Sequence, residues 1–594
     1  MTCTLTDQSS CPRWNRHDTI ALILTLLGLL WALWMGWAST GFYQDDDITH
    51  LNMARWGWQG NVLYLWHSWG RPGFTVPAAL AWGLGGTLGV RWMSALMTVV
   101  AVWCAYRIAR RMGSLPLAGG KAWWVLVPML IWLQPMLMRL ALTCLTETPA
   151  LMCLSVAVWL LLRGNLIWAS IALSPAFLAR YELVSILPIW GLLVYAQYAR
   201  MRSVGWKTLW WRVRPLVACL LTVWAITLYA GVDWWYQMPL GYSPRTMFIR
   251  QYTGEYGWGP WWWFLLRWVA EGAGGGIAVL ALAGMFVLVY TWYQEVRTAQ
   301  EGARGRALRT LWTHEGFWRG GVCLTLVVWL IFLHSYLYNN GMFESGGYAR
   351  FLVPIGGFTA ILAAWGLACL WQGSVAALWG GGLMLAMALG LALQKESAIV
   401  GITALGFVIC AAVWASVRGR GRRYIGVGLV IFLGIATMIQ CRSLIRPLDT
   451  TPDGEYIEQV LRLRPGMIPV DTGQRIAETA GLLARAQHLE TRPAWTGHVA
   501  IPCFFPSATC VGSFKEALDR WDQATPGTLY FWENKYGLPW QGKGRDERLI
   551  KALEASGRVV IGPIVDRDNT MIVFEKQVPV TTRPKVDDSG AAGN

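Results

Sequence analysis

The stretch Thr19-Ile-Ala-Leu-Ile-Leu-Thr-Leu-Leu-Gly-Leu-Leu-Trp-Ala-Leu-Trp-Met-Gly-Trp-Ala38, followed at once by Gly41-Phe-Tyr-Gln-Asp-Asp-Asp-Ile-Thr-His50, decides how this chain is read. An apolar run of that length, at about 1.5 Å per helical residue, reaches across the hydrocarbon of a bilayer. Asp45, Asp46 and Asp47 then fall at the membrane surface, just after the first crossing. Charge beside hydrocarbon must be solvated, paired or put to use, so an acidic cluster at the mouth of a helical bundle points to function. One Asp there would merely end a helix; three, followed by a long aromatic and basic segment, carry more weight.

Composition agrees. Of 594 residues, 55% are hydrophobic and only 14% charged, against roughly 25% charged in soluble domains. The chain is a polytopic membrane protein by this reading. The net charge of +16 does not mark a nucleic-acid partner, because Lys and Arg fall between apolar runs, where they set topology, and are not gathered on one soluble domain. Most cysteines are scattered inside apolar runs, as with Cys104, Cys153, Cys219 and Cys410, and read as small buried side chains without metal spacing. Residues 1–18 carry Arg13, Arg16 and His17 ahead of a run longer than a signal core and without a small-x-small cleavage site, so 19–38 reads as an uncleaved crossing.

Basic residues at 1–18 place the amino end in the cytoplasm and the triple Asp outside. Residues 41–91 form a long external loop with Trp56, Trp58, Trp66 and Trp69 as interface anchors; within it, 73–88 is short and rich in Pro and Gly, which suits a surface-lying or re-entrant helix. Further crossings are expected at 92–108, 122–138, 150–162, a hairpin over 166–199 interrupted by Ala179-Arg180-Tyr181-Glu182, then 216–231, 275–292, 321–338, 351–371, 375–393, 398–417 and 424–440. The aromatic loop 233–263 reads as a surface lid. About thirteen helices result, within a membrane domain over 19–441.

Parity then puts 442–580 outside as a separate polar domain. Strand patterns at 467–470, 528–532, 559–564 and 570–574 mix with helical periodicity at 476–488 and 513–521, which suggests an α/β or α+β fold. Cys503 and Cys510 lie close together in a compartment that permits a disulfide, and a bridge is favoured over two thiols. Residues 581–594 read as a disordered tail.

On this topology four external segments bring charge to one face: Asp45 to Asp47 with Arg55 and Arg71, Glu147 with Arg139, Arg180 with Glu182, and Arg350. Guanidinium forks bind phosphate oxygens and a carboxylate can deprotonate a nucleophile, so together they suit transfer of a group from a phosphate leaving group. For Arg55, Arg139 and Glu182, simple pairing at helix ends is the preferred reading, and for Arg180 both stay open.

Several of these segments resemble the C-type membrane glycosyltransferases, the superfamily of protein O-mannosyltransferases and lipid A aminoarabinose transferases. Asp46-Asp47-Ile-Thr-His50 through Ala54-Arg55 looks like their Asp-Glu-x-x-Tyr...Ala-Arg opening, and Arg71-Pro72-Gly73-Phe74 like their Lys/Arg-Pro-Pro segment. Gly89 through Tyr106-Arg-Ile-Ala-Arg-Arg-Met-Gly113, Met138-Arg-Leu-Ala-Leu-Thr with Thr146-Glu147-Thr-Pro149, Leu178-Ala-Arg180-Tyr-Glu182 and Tyr348-Ala-Arg350-Phe-Leu-Val-Pro354 follow in the family order. The chain departs from the pattern at Asp47 for Glu, His50 for Tyr and Gly73 for the second Pro. Three consecutive Asp admit two registers, and the one starting at Asp46 also aligns Ala54-Arg55.

The resemblance implies inverting transfer of a sugar from a polyprenyl-phosphate donor to an extracytoplasmic acceptor: a glycolipid, a lipid A-like molecule or a protein hydroxyl. It implies Asp46 as the residue that orients or deprotonates the acceptor, with Asp45, Asp47 and Glu147 assisting. Arg71, Arg180 and Arg350 would bind phosphate, and His50 and Tyr348 substrate. No cofactor is expected; hard carboxylate oxygens could hold a divalent metal, but the monophosphate-donor branch favours metal independence. The partners are the lipid-linked donor, the acceptor and the bilayer, in a bacterial plasma membrane with site and C-terminal domain outside. Rival readings are a lipid-linked glycan flippase, which would show repeat symmetry and mid-bilayer charge, and an O-antigen ligase or polymerase, which depends on a late external loop. A receptor or scaffold leaves the triple Asp without a role.

Overall fold

The computed structural model describes residues 14–112, 122–201, 209–224, 259–298, 314–374, 421–448, 468–469, 473–534 and 547–578, apart from positions 40, 44, 61–62, 67–70, 223, 343–346, 373, 443–444, 446, 499–500, 512–513 and 567–568. The crossings expected at 375–393 and 398–417, half of 216–231, most of the aromatic loop, and the tail after 580 lie outside the described residues. The chain forms two compact units: Met1–Ser39 with Met53–Leu448, and Thr40–Asn52 with Asp449–Asn594.

The first unit is helical: α1 (Arg16–Ala38), α2 (Asp45–Trp58, whose first half belongs to the second unit), α3 (Pro72–Met112), α4 (Glu147–Leu162), α5 (Leu166–Ala179), α6 (Leu187–Met201), α7 (Gly275–Thr298), α8 (Glu315–Asn339), α9 (Gly356–Trp371) and α10 (Gly421–Arg442), with shorter helices between. Among the described residues, six helical segments are long and apolar enough to cross a membrane: Arg16–Ala38, Pro72–Met112, Tyr181–Met201, Gly275–Arg297, Gly316–Asn339 and Ala349–Trp371. Helix α1 leaves Ile20, Ile23, Leu26, Leu27, Leu30, Trp34 and Trp37 exposed, a surface suited to hydrocarbon and not to water.

Local chemistry sets where these helices break. The segments expected as a surface helix at 73–88 and a crossing at 92–108 are one run, α3, broken at Gly85 and Gly86, where Gly86 has φ +59°. The separation therefore falls earlier than the end of the loop drawn to residue 91. The span expected at 122–138 is no single helix either: Trp123–Leu126, Val127–Trp132 and Pro135–Leu140 follow one another. Pro135 has no N–H to continue the ladder and holds Gln134 extended. The Gln134 amide donates instead to the Gly356 carbonyl at 2.7 Å, tying this break to the start of α9.

Helices α1 and α3 are clamped at both ends of their contact. Near the start of α1, buried Asp18 accepts from the Tyr106 hydroxyl at 2.7 Å and from Arg110. Past its end, Arg91 donates to the carbonyls of Gly36 and Ser39, where a helix presents unpaired acceptors.

The second unit holds α11 (Gly473–Ala486), α12 (Phe514–Asp522), α13 (Glu547–Ser556) and β1 (Ile468–Pro469), β2 (Ala494–Thr496), β3 (Ala508–Cys510), β4 (Leu529–Glu533), β5 (Gly557–Asp566) and β6 (Asn569–Lys576). The strands form one mixed sheet in the order β1-β5-β6-β4-β2-β3, with β2, β3 and β4 parallel and β6 antiparallel to β4 and β5. Side chains alternate between the two faces. Leu529, Phe531, Met571 and Val573 join the core under α11, while Tyr530 and Phe574 join Trp521, Leu549 and Leu553 on the other face. The side chain of Cys503 lies outside the described residues; Cys510 Sγ faces the His498 carbonyl at 3.8 Å.

His498 is buried just beyond β2, and its backbone N–H donates to Thr496 Oγ1 at 2.9 Å. Burial pushes its imidazole down to about 4. A histidine kept neutral in the fold and protonated when unfolded costs stability as pH falls from its ordinary 6.5 towards 4. At about 1.4 kcal/mol per unit the loss is of order 3 kcal/mol. In the full-length chain, the urea concentration at which 473–578 becomes protease-sensitive should drop between pH 7 and pH 5, and His498→Gln should flatten the dependence. An equally steep dependence in the variant would assign it to other groups.

Candidate functional site

Helices α4 and α5 are joined by a tight turn over 163–165, with Gly164 at φ +80°, and pack antiparallel. Their lengths, 16 and 14 residues, are nearly equal, so the first residue of α4 and the residue after α5 meet at the same end. These are Glu147 and Arg180. Glu147 also sits in the first helical turn, where the helix dipole favours a negative charge.

Arg180 is only 4% exposed and is held from two sides. Its Nη1 donates to Glu147 Oε1 at 2.7 Å and to Thr146 Oγ1 at 3.3 Å, and its Nε donates to Glu182 Oε1. Its guanidinium lies 4.3 Å from the centre of the Phe351 ring. Arg350, from the 3-10 turn Ala349–Ile355 ahead of α9, brings Nε to 3.7 Å from the same Glu147 oxygen and faces the rings of Tyr348 and Phe351 at 5.3 Å each. Two elements remote in sequence thus converge on one carboxylate. Sequence proximity had paired Glu147 with Arg139; its partners include Arg180 and Arg350.

Arg71 arrives by a third route. It precedes α3 with φ +60°, a conformation that a residue with a Cβ adopts at a cost, and its carbonyl accepts from the N–H groups of Phe74 and Thr75. The next turn explains the glycine standing where the family pattern has a second proline. A Cβ on Gly73 would lie 2.4 Å from the Ala179 nitrogen and 2.6 Å from the Pro175 carbonyl oxygen. Only glycine lets α3 press onto the last turn of α5, and that approach stacks the Arg71 guanidinium 3.4 Å from the Tyr181 ring centre.

Among the described residues, Arg71, Arg180 and Arg350 thus gather with Glu147 and Glu182 in a largely apolar bundle. Among the described residues, Arg180 Nη2, Arg71 Nη1, Glu147 Oε2 and Glu182 Oε2 are buried without a hydrogen-bond partner. Such N–H groups, already desolvated and fixed, are what an anion needs. Glu182, assigned from sequence to simple pairing, is 1% exposed and one of the two groups that fix Arg180. His334, missed at the sequence level, stacks on Phe351 at 5.5 Å and lies tilted against Phe264 at 5.2 Å beside this cluster. A lone ionisable residue inside the apolar run 321–338 was the available signal. Arg55 lies over Trp82 at 5.6 Å, and Tyr348 is 47% exposed.

The acidic stretch belongs to the second unit. Asp45 opens α2, and its side chain lies outside the described residues. Asp46 is half-buried, whereas Asp47 is buried and its Oδ2 accepts from the Tyr43 N–H at 3.0 Å, so a carboxylate in the first helical turn reaches back to the residues leading into the helix. His50 is buried one turn further on. Of the two aspartates whose side chains are described, Asp46 is the more exposed and Asp47 ties the turn.

No protein-family model matches the chain, and no curated protein is significantly similar to it. Solved structures do resemble it. The aminoarabinose transferase ArnT from Cupriavidus metallidurans bound to undecaprenyl phosphate is 14% identical over 94% of this chain and 97% of its own, with a TM-score of 0.48. The apo form of that protein gives 0.46 at the same identity and coverage. The apo oligosaccharyltransferase from Archaeoglobus fulgidus is 13% identical over 85% of this chain and 65% of its own, with 0.44. These neighbours are C-type membrane glycosyltransferases.

The packing at Gly73 is open to a direct check. Gly73→Ala must push α3 off α5, and overpacking of this kind costs about 1–3 kcal/mol. The unfolding midpoint of the detergent-solubilised chain should fall below wild type. An unchanged midpoint would mean that the two helices part without cost.

Proposed function

We propose that this chain is a membrane glycosyltransferase of the C-type class, transferring a sugar with inversion from a polyprenyl-phosphate donor to an acceptor hydroxyl or phosphate at the extracytoplasmic face. The observation that carries the reading is Arg180, buried among apolar helices, bracketed by Glu147 and Glu182, with Nη2 open. A buried cation so tightly held is costly to build. Its use is to meet a second anion without rearrangement. The leaving group of the proposed reaction is such an anion, a lipid phosphate that gains charge as the C1–O bond to the sugar breaks.

In this reading Arg180, Arg71 and Arg350 take up that developing charge, and Glu147 keeps the guanidinium groups in register. Asp46 accepts the proton of the incoming nucleophile as the new C1–O bond forms on the opposite face of the sugar. His50 and Tyr348 contact substrate. No step requires a metal ion, and activity should survive exhaustive chelation.

With a polyprenyl-phosphate sugar and membrane acceptors, Arg180→Gln should lower kcat about 10²- to 10³-fold, the range for loss of one charge-stabilising donor. Asp46→Asn should lower it about 10²- to 10⁴-fold, the range for a general base. Lipid and glycoprotein mass spectrometry with and without the protein names the acceptor. Wild-type transfer in both variants would overturn the proposal, and wild-type transfer in Asp46→Asn with loss in Asp45→Asn would move the base by one residue.

A further inference from the structure

Residues 449–594 supply none of the reacting groups named above, yet the compact unit they form includes one element from the other end of the chain. Thr40–Asn52 belongs to the same compact unit as Asp449–Asn594. Ile48 is 0% exposed and sits in the core formed by Ile476, Leu483, Ile501, Phe504 and Phe531. Phe42 packs on that core, with its ring edge-on to Phe504 at 6.5 Å and 86°. These two anchors flank Asp46 and Asp47, and the bond from the Tyr43 N–H to Asp47 closes the turn between them.

Phe504 is itself fixed by the fold of this domain. Gly481 of α11 lies so close that a Cβ there would come within 2.5 Å of the Phe504 Cβ and 3.1 Å of its backbone. A contact deep in the domain therefore sets the ring against which Phe42 rests.

We propose that the C-terminal α/β domain is the scaffold of the acidic segment: it holds 42–50 by Ile48 and Phe42 and so fixes the direction in which Asp46 is presented. The alternative for two apolar side chains beside three aspartates in a surface loop is exposure to water and a loose segment. Ile48 and Phe42 are thus positioning residues acting through the helix start that carries Asp46. The inference rests on the reading of Asp46 as the proton acceptor, but the anchoring itself does not.

Two readouts on the full-length chain in detergent separate these. Backbone hydrogen exchange reads the anchoring. Ile48→Ala should speed exchange at 45–52 while the strands 529–533 and 569–576 stay protected, Phe42→Ala and Gly481→Ala should do so more weakly, and Ile48→Val should restore protection. Steady-state transfer reads the consequence. Loosening a catalytic group by an ångström costs up to about a hundredfold, so kcat should fall roughly tenfold or more in Ile48→Ala with KM for the lipid donor unchanged, and recover in Ile48→Val.

Unchanged exchange at 45–52 in Ile48→Ala and Phe42→Ala would overturn the anchoring. So would loss of protection in the strands without selective loss at 45–52 in any variant, since Ile48 would then be ordinary core. Faster exchange at 45–52 with wild-type kcat would overturn the positioning role. Wild-type activity in Asp46→Asn, with the exchange result intact, would instead condemn the catalytic reading alone.

Discussion

A positive charge buried among apolar helices must be held by opposite charge, and the arrangement around Arg180 follows from that constraint. Glu147 and Glu182 satisfy its Nη1 and Nε. To supply them, α4 and α5 must match in length, the chain must break after Ala179, and the turn before α9 must bring Arg350 to the same carboxylate. Removing one member would leave the others uncompensated in low dielectric, which is far more costly than never having built the cluster.

Much of this was legible in the residues. Among the described residues, the apolar runs at 19–38, 275–292, 321–338 and 424–440 fell within single helices, and the charged tip Ala179-Arg180-Tyr181-Glu182 marked the break in the hairpin. Strand patterns near 529, 559 and 572 fell where β4, β5 and β6 lie. What sequence could not give was partnership. Glu147 was paired by proximity with Arg139, because nothing local says that residues 33 and more than 200 positions later will converge on it. His334 was hidden because a single imidazole barely disturbs the hydropathy of its run. The segment 41–50 read as a loop of the membrane domain, and no local pattern shows that Ile48 is core to a domain that begins some 400 residues later.

Small residues decide geometry that large ones then use. Gly86 breaks α3, and Gly73 allows the close approach that stacks Arg71 on Tyr181. Arg71 pays for its place in backbone conformation, with φ at +60°. Such outliers persist only where the surroundings over-determine them. Here the surroundings are the last turn of α5 and an aromatic face, so the position of a cation is set by a neighbour's backbone.

The shared core of Thr40–Asn52 and the C-terminal unit also bears on how the molecule matures. During synthesis the acidic segment leaves the ribosome some 400 residues before the strands and helices that enclose Ile48. Domains fold broadly in the order in which they are made, but this one must wait for its first piece to be matched by its final ones. A chain cut short before residue 449 would carry the acidic segment without the core that encloses Ile48.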